Sequence, residues 1–193
     1  MRILVLDNYD SFTYNLVHYI EQLIPEQVEV FRNDKISLDE IAVYDKILLS
    51  PGPGIPEEAG ILIKLIQMYG HEKDILGVCL GHQAIAEALG GTLINLDRVF
   101  HGLATPMNII EDDIIFKGIV SPFTAGRYHS WIVNENDLPK ELIVTARDED
   151  GNIMAMKHKN FKLRGVQFHP ESVLTPDGLK MIENWINLNP FQN

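Results

Sequence analysis

The strongest constraint on the fold is a regular alternation of short apolar runs and amphipathic segments in the first ninety or so residues. Runs of this length, bounded by turn-forming residues, are typical of buried strands, and they occupy residues 3–6, 28–31, 46–49 and 75–78. Segments with apolar residues at helical spacing alternate with them, at residues 11–24, 58–69 and 81–89. The alternation predicts βαβ units, and therefore a parallel sheet with helices on both faces.

The second half of the chain has a different pattern, in which apolar runs follow one another with short connections. We expect strands there at residues 92–96, 107–110, 123–128, 142–146, 153–157 and 163–168, and a last helix at 176–188. The expected fold is therefore an open, mostly parallel α/β sheet with an antiparallel extension. The 193 residues show no linker-like shift in composition, so we expect a single domain over residues 1–193.

Composition argues against several classes of function. A formal net charge of −11 disfavours nucleic-acid binding, which needs a positive surface. No apolar stretch approaches the ~20 residues that span a bilayer, and none has the form of a signal peptide, so we expect a cytoplasmic protein without a membrane partner. A single cysteine excludes an internal disulfide and a multi-cysteine metal site. Histidine spacing typical of metal ligands is also missing, so we expect no metal site.

The one cysteine, Cys79, stands where a predicted strand passes directly into a predicted helix. Gly77 and Gly81, two residues to either side, permit the tight turn that projects a nucleophile above a sheet. The helix N-terminus would favour a thiolate, and the Leu80 N–H could hold an oxyanion. The alternative is a buried cysteine with a packing role only, which is the common state of a free thiol. The glycine-flanked turn favours the nucleophile.

A cysteine nucleophile needs a base, and the base needs a group that orients it. His169 ends the last predicted strand and begins the sequence His169-Pro170-Glu171. Pro170 keeps His169 extended, so Glu171 can accept the imidazole N–H and hold its tautomer. A histidine at a strand end is more often an ordinary surface residue, but the neighbouring carboxylate makes His169 the candidate base. We interpret His82 as structural. Three further histidines are interpreted as surface residues: His18, His71 and His158.

The loop Ser50-Pro51-Gly52-Pro53-Gly54 follows the third predicted strand, at the edge of the sheet where ligands of α/β proteins bind. A phosphate-binding loop would need a third glycine and a Lys-Ser or Lys-Thr pair, and the loop has neither. We interpret it as a wall beside Cys79, where glycine allows the backbone to approach a substrate closely. A plain tight turn remains the alternative.

These motifs belong to a larger set of blocks spread over nearly the whole chain. The blocks read DNYDSFTYNL, SPGPG, GVCLGHQ, RYHS and GVQFHPES, at residues 7–16, 50–54, 77–83, 127–130 and 165–172. With them the chain resembles the class I glutamine amidotransferases, most closely the amidotransferase subunits of anthranilate synthase and aminodeoxychorismate synthase. The cysteine and His-Pro-Glu blocks would fit any class I member, whereas the amino-terminal block is typical of the chorismate-using branch.

The resemblance implies a flavodoxin-like sheet and hydrolysis of L-glutamine to glutamate and ammonia through a cysteine thioester. It implies a catalytic triad of three residues: Cys79, His169 and Glu171. It also implies contacts to the oxyanion and side chain of glutamine from Gly52, Pro53, Gly54 and Leu80. Contacts to the α-amino and α-carboxylate groups are implied for three more residues: Gln83, Ser130 and Trp131.

The resemblance further implies that ammonia passes to a chorismate-binding synthase subunit, which makes anthranilate for tryptophan, 4-amino-4-deoxychorismate for folate, or both. It implies that this subunit needs no cofactor, whereas the partner uses Mg²⁺. Two positions depart from the family pattern: Leu103, where lysine is usual, and Trp131, where leucine is more common. The alternatives are a free-standing γ-glutamyl hydrolase, a non-catalytic regulatory partner of a synthase, and a flavodoxin-like cofactor-binding module.

Overall fold

The computed structural model describes residues 1–25 and 27–187. Strands and helices alternate through the first half of the chain: β1 (Ile3–Asp7), α1 (Thr13–Leu23), β2 (Val28–Arg32), α2 (Leu38–Ile41), β3 (Lys46–Leu49), α3 (Leu62–Tyr69), β4 (Asp74–Val78) and α4 (Leu80–Ala88). The four strands lie side by side in the order β2-β1-β3-β4, and every neighbouring pair is parallel. The predicted βαβ pattern is confirmed.

Strands dominate the second half: β5 (Leu93–Asn95), β6 (Leu103–Ile109), β7 (Phe123–Arg127), β8 (Trp131–Val133), β9 (Leu142–Asp148), β10 (Ile153–His158) and β11 (Leu163–Val166), followed by helix α5 (Gly178–Ile186). β11 pairs in parallel with β4. Antiparallel strands then extend the sheet, whose full order is β2-β1-β3-β4-β11-β10-β9-β6-β7. β5 and β8 form a small separate ribbon. The sheet is thus mostly parallel in its first part with an antiparallel extension, as predicted.

Strand β1 shows why the buried strands are apolar at every position. Ile3 and Val5 pack in one hydrophobic cluster with residues of α1 and α5, while Leu4 and Leu6 pack in a second cluster with residues of α3 and α4. Successive side chains of a strand point to opposite faces, so a sheet covered by helices on both faces needs apolar residues throughout. The core therefore lies in two layers, one on each face of the sheet.

The register of the sheet positions the chemistry. Val78 of β4 lies opposite Val166 of β11, so the residues that follow them, Cys79 and Gln167, emerge as neighbours. β3 lies on the other side of β4, which brings the loop at 50–54 to the same edge. Three segments far apart in sequence therefore meet at the carboxyl ends of parallel strands, where ligands of such sheets bind.

Several predicted boundaries differ from the structure. The helix predicted at 58–69 begins only at Leu62, after a 3₁₀ turn over Pro56–Glu58, and Gly60 between them has a φ of 57°. Strand β8 was not predicted, because its pairing with β5 is a tertiary contact. β11 ends at Val166 rather than 168. The last helix ends at Ile186, and its predicted final residue, Leu188, lies outside the described residues. Within the described ranges, no helix has the length and apolar character to cross a bilayer.

Candidate active site

Cys79 lies at the turn between β4 and α4 and is 6% exposed. Its φ of 51° and ψ of −97° are values that residues with a side chain rarely adopt. Glycine is needed on both sides of this turn, because a Cβ on Gly77 would lie 2.5 Å from the backbone of Gly81, and one on Gly81 would lie 2.7 Å from Leu49. The tight turn predicted from the sequence is present and stores backbone strain at the sulfur-bearing residue.

His169 and Glu171 form a buried pair, 2% and 3% exposed. Nδ1 of His169 lies 2.6 Å from Oε1 of Glu171, so a protonated Nδ1 donates to the carboxylate. The backbone of His169 is also held, since its N–H donates to the Gly126 carbonyl at 2.9 Å and its carbonyl accepts from the Thr175 hydroxyl at 2.6 Å. The structure therefore brings together the base and the orienting carboxylate expected from the His-Pro-Glu spacing.

Aromatic rings enclose the imidazole of His169. Phe12 meets it edge-on with ring centroids 5.5 Å apart, and the centroid of Tyr128 lies 4.8 Å away. Burial lowers the pKa of His169, but the neighbouring Cys79 and Glu171 outweigh it and raise this pKa to about 10. An imidazolium beside the sulfur favours the thiolate. Nε2 of His169 has no hydrogen-bond partner among the described residues, which leaves it available to a reacting group.

A cleft of about 230 Å³ opens beside Cys79. It is lined by Gly52, Pro53, Gly54, Cys79, Gln83, Tyr128, His129, Ser130 and Trp131. Gly52 makes the closest approach, because a Cβ there would lie 2.6 Å from Cδ2 of Leu80 and 2.7 Å from the Asn8 carbonyl oxygen. The Leu80 N–H, which begins α4, has no hydrogen-bond partner in the described part of the chain. The loop thus forms the predicted wall of a site, rather than an isolated turn.

Gln83 reaches the cleft from the first turns of α4. Its amide nitrogen donates to the Trp131 carbonyl at 2.9 Å, and its Oε1 accepts no hydrogen bond among the described residues. Ser130 and Trp131 are half-buried on the opposite wall. Six of the seven residues expected to contact glutamine line one cleft; the seventh, Leu80, packs beneath Gly52. Their contacts with glutamine stay a prediction.

The amino-terminal block supports this cleft. The Asn8 backbone N–H donates to Oγ of Ser50, and its side-chain amide donates to the Ser50 carbonyl, both at 2.8 Å. Asn33 in turn donates to Oδ1 of Asn8 at 3.0 Å. One carboxylate oxygen of Asp7 accepts from the Thr13 hydroxyl at 3.0 Å and closes the turn that carries Phe12 towards His169. The block therefore holds the glycine loop at one end and packs on the candidate base at the other.

The remaining histidines give one correction. His82 is fully buried, and burial lowers its pKa to about 4, in keeping with a structural role; His18 and His71 are exposed. His158 was predicted at the surface and is instead 6% exposed. Its Nδ1 accepts from the N–H groups of Asn160 and Phe161, each at 3.0 Å, so it caps the β10–β11 turn. Across the described residues, no group of three or more His, Cys, Asp or Glu side chains is arranged to hold a metal ion.

A larger cavity, about 650 Å³, lies along residues 109–121 beside Arg164. None of the predicted site residues lines it. Arg164 faces two carboxylates, Asp113 at 3.3 Å and Asp74 at 3.7 Å, so its charge is already balanced. Size alone does not make this cavity the reactive site, since the strained cysteine and the His–Glu pair are elsewhere.

Sequence reasoning assigned no role to three residues that the structure places at the centre of the site. Phe12 and Tyr128 enclose the His169 ring, and the side chain of Gln167 donates from Nε2 to Sγ of Cys79 at 3.5 Å. All three lie inside the blocks at 7–16, 127–130 and 165–172. Their position within those blocks was the available signal, but no spacing rule connects residues that meet only through the sheet.

A cysteine on a strained strand-to-helix turn, with a buried His–Glu pair next to it, is typical of enzymes that act through a cysteine thioester. The family described as glutamine amidotransferase class-I matches residues 4–188. The chain belongs to this family.

Named relatives agree with that placement. The aminodeoxychorismate/anthranilate synthase component 2 of Bacillus subtilis is 46% identical over 95% of this chain and 95% of its own length. The bifunctional protein TrpGD of Thermotoga maritima is 45% identical over 99% of this chain, which spans only 33% of that longer protein. A solved structure from Thermoplasma acidophilum, named for part of a GMP synthase, is 26% identical with a TM-score of 0.86, over 96% of this chain and 92% of that one.

Proposed function

We propose that this chain is the glutaminase subunit of a chorismate-using synthase, in which Cys79, His169 and Glu171 hydrolyse L-glutamine and a chorismate-binding subunit receives the ammonia. The observation that carries the catalytic assignment is the buried pair of His169 and Glu171, whose 2.6 Å contact lies at the same sheet edge as the strained turn of Cys79. No other described histidine has a carboxylate within hydrogen-bonding distance in the interior.

The geometry supports a two-step mechanism. The Cys79 thiolate attacks the side-chain amide carbon of glutamine, and the developing oxyanion is held by the Leu80 N–H and the glycine loop at 52–54. Protonated His169 gives its Nε2 proton to the departing nitrogen, so the C–N bond breaks, ammonia leaves and a γ-glutamyl thioester remains. His169 then takes a proton from water, which attacks the thioester and releases glutamate and the thiolate. Glu171 keeps the imidazole tautomer correct in both steps.

Relatives over nearly the full length support the partner. They are named as second components of anthranilate and aminodeoxychorismate synthases, so we propose a first component that binds chorismate and makes anthranilate, 4-amino-4-deoxychorismate, or both. This favours the synthase subunit over a free-standing γ-glutamyl hydrolase or a non-catalytic partner. We further propose that the subunit needs no cofactor, that Mg²⁺ serves the chorismate-binding partner, and that the complex is cytoplasmic.

Leu103 bears on this coupling. It begins β6, is 37% exposed, and follows Gly102, where an added Cβ would lie 3.6 Å from the Tyr128 ring. Tyr128 in turn lines the cleft. The departure from lysine is therefore at the rim of the proposed active site, where a partner that receives ammonia would have to lie.

The test is to purify the chain together with a chorismate-binding partner and to measure product from glutamine and, separately, from ammonium. Cys79→Ala is expected to lower glutamine-dependent product by at least about 10³-fold while ammonium-dependent product stays unchanged. Glutamine-dependent activity that survives in Cys79→Ala would remove Cys79 from the mechanism. Glutamine hydrolysis without any rise on adding the partner would favour the free-standing hydrolase. The position of the amino group in the product assigns the pathway.

A further inference from the structure

A chain of buried hydrogen bonds ends on the sulfur of Cys79. The Gln167 amide nitrogen donates to Sγ at 3.5 Å, which is a normal length for a bond to sulfur. Oε1 of Gln167 accepts from the amide nitrogen of Gln83 at 3.2 Å. The same nitrogen of Gln83 also donates to the Trp131 carbonyl at 2.9 Å. Gln167 is fully buried and Gln83 is 3% exposed, so solvent does not compete for these bonds.

The Trp131 carbonyl sets the direction of this chain, because a backbone carbonyl can only accept. Gln83 must therefore turn its nitrogen towards Trp131, and the second hydrogen of that nitrogen points at Gln167. Gln167 then has to present oxygen to Gln83, and its own nitrogen faces Cys79. An amide that could be placed either way round is thus held in the one orientation that offers the sulfur a donor.

The far side of the Trp131 carbonyl is fixed by the same logic. Nδ1 of His129 lies 3.0 Å from this carbonyl, and Nε2 of His129 lies 3.2 Å from Nε of Arg127. Arginine can only donate, so His129 carries its proton on Nδ1 and donates it to Trp131. Asp148 holds Arg127 at 2.8 Å. Burial, together with the charge of Arg127, lowers the pKa of His129 to about 3, so this arrangement persists at neutral pH.

We propose that Gln167 is a further catalytic residue of the glutaminase, whose amide N–H stabilises the Cys79 thiolate, and that Gln83 positions this amide. The inference rests on the proposed function, in which Cys79 is the nucleophile. The sulfur is negative before attack and neutral in the thioester, and it becomes negative again when water attacks and the C–S bond breaks. A donor that strengthens with charge therefore stabilises both the attacking thiolate and the departing one. His169 alone supplies and takes the protons.

The single cysteine of the chain makes a direct test possible. Alkylation of the complex by iodoacetamide, measured as a function of pH, reports the thiolate fraction of Cys79 alone. Gln167→Met removes the donor at similar volume and is expected to raise the apparent pKa of alkylation by about one unit, the size of one charge-assisted hydrogen bond. The kcat for glutamine is expected to fall roughly 10-fold with KM nearly unchanged, because the bond acts on charge rather than on substrate binding.

Gln83→Met is the second variant, and it leaves Gln167 in place while removing the group that orients it. It is expected to raise the alkylation pKa in the same direction and also to raise KM, since Gln83 lines the cleft. Asn184→Leu is the matched control: this buried amide of α5 donates to the carbonyls of Ile115 and Lys117, away from Cys79. It is expected to lower the unfolding temperature without changing the alkylation profile.

Alkylation profiles of folded Gln167→Met and Gln83→Met that coincide with the wild type would overturn the proposal, as would an equal shift in Asn184→Leu. If Gln167→Met does not fold, the Gln83→Met profile decides alone. The alkylation readout needs no glutamine. A wild-type complex that fails to use glutamine would therefore remove the proposed function, whereas unshifted profiles in an active complex would remove only the role of Gln167.

Discussion

Helix α5 begins against the loop that carries the candidate base, and the contact there leaves no space for a side chain. A Cβ on Gly178 would lie 1.7 Å from the carbonyl oxygen of Pro170 and 2.6 Å from its carbonyl carbon. Both atoms belong to the backbone, so no rotamer change relieves the clash. Since real Cβ atoms do not approach closer than 3.0 Å, Gly178→Ala must separate the two segments by at least about 1.3 Å.

The loop will move rather than the helix. Helix α5 is anchored in the core by Met181, Ile182 and Trp185, all no more than 2% exposed, and the Trp185 ring nitrogen donates to Asp74 at 2.9 Å. Pro170 lies between His169 and Glu171, so the displacement falls on the pair whose contact is only 2.6 Å. Misplacing a catalytic group by about 1 Å typically costs 10²-fold in rate, and overpacking of this kind costs about 1–3 kcal/mol in stability.

We therefore expect Gly178→Ala to lower kcat for glutamine by roughly 10²-fold, with ammonium-dependent product from the complex unchanged. Urea unfolding measures the loss of stability separately. Gly151→Ala is the control, because its φ of 84° makes alanine costly by about 1 kcal/mol although nothing lies within 4 Å of the added carbon. It should lose stability and keep its activity. A Gly178→Ala enzyme with wild-type kcat, or a Gly151→Ala enzyme equally impaired, would refute the reasoning.

Two further predictions concern buried ionisable groups. Glu171→Gln can offer an amide N–H to Nδ1 of His169 and so select the wrong tautomer; kcat should fall by at least about 10²-fold with little change in KM, and steady-state kinetics showing less than about a threefold loss would contradict the orienting role. His82 has a pKa of about 4 in the folded chain against an ordinary 6.5, so the unfolded chain binds the proton first, and the stability that neutral His82 contributes is complete above pH 6.5 and is lost as the pH falls towards 4. Denaturant unfolding at pH 7 and pH 5 should therefore show that His82→Leu loses about 2 kcal/mol less than the wild type over this interval, and equal losses in the two proteins would show that His82 does not titrate in this way.

Local pattern was sufficient for most of the sheet. Each buried strand of the first half is an unbroken apolar run, because helices cover both of its faces, and the runs at 3–6, 46–49 and 75–78 match β1, β3 and β4 to within a residue. Boundaries were missed where a tertiary contact decides them. Strand β8 exists because it pairs with β5, and His158 is buried because a turn folds over its ring.

The sequence by itself determined the type of sheet, the glycine-flanked turn at Cys79 and the His169–Glu171 pair, because each depends on neighbours within a few residues. Only the tertiary structure decided which side chains meet at the sulfur. Gln167 lies beside Cys79 because β11 inserts next to β4, and Phe12 lies on His169 because α1 begins at the same edge of the sheet. Strand order and register create these contacts between segments that are distant along the chain, and no local spacing records them.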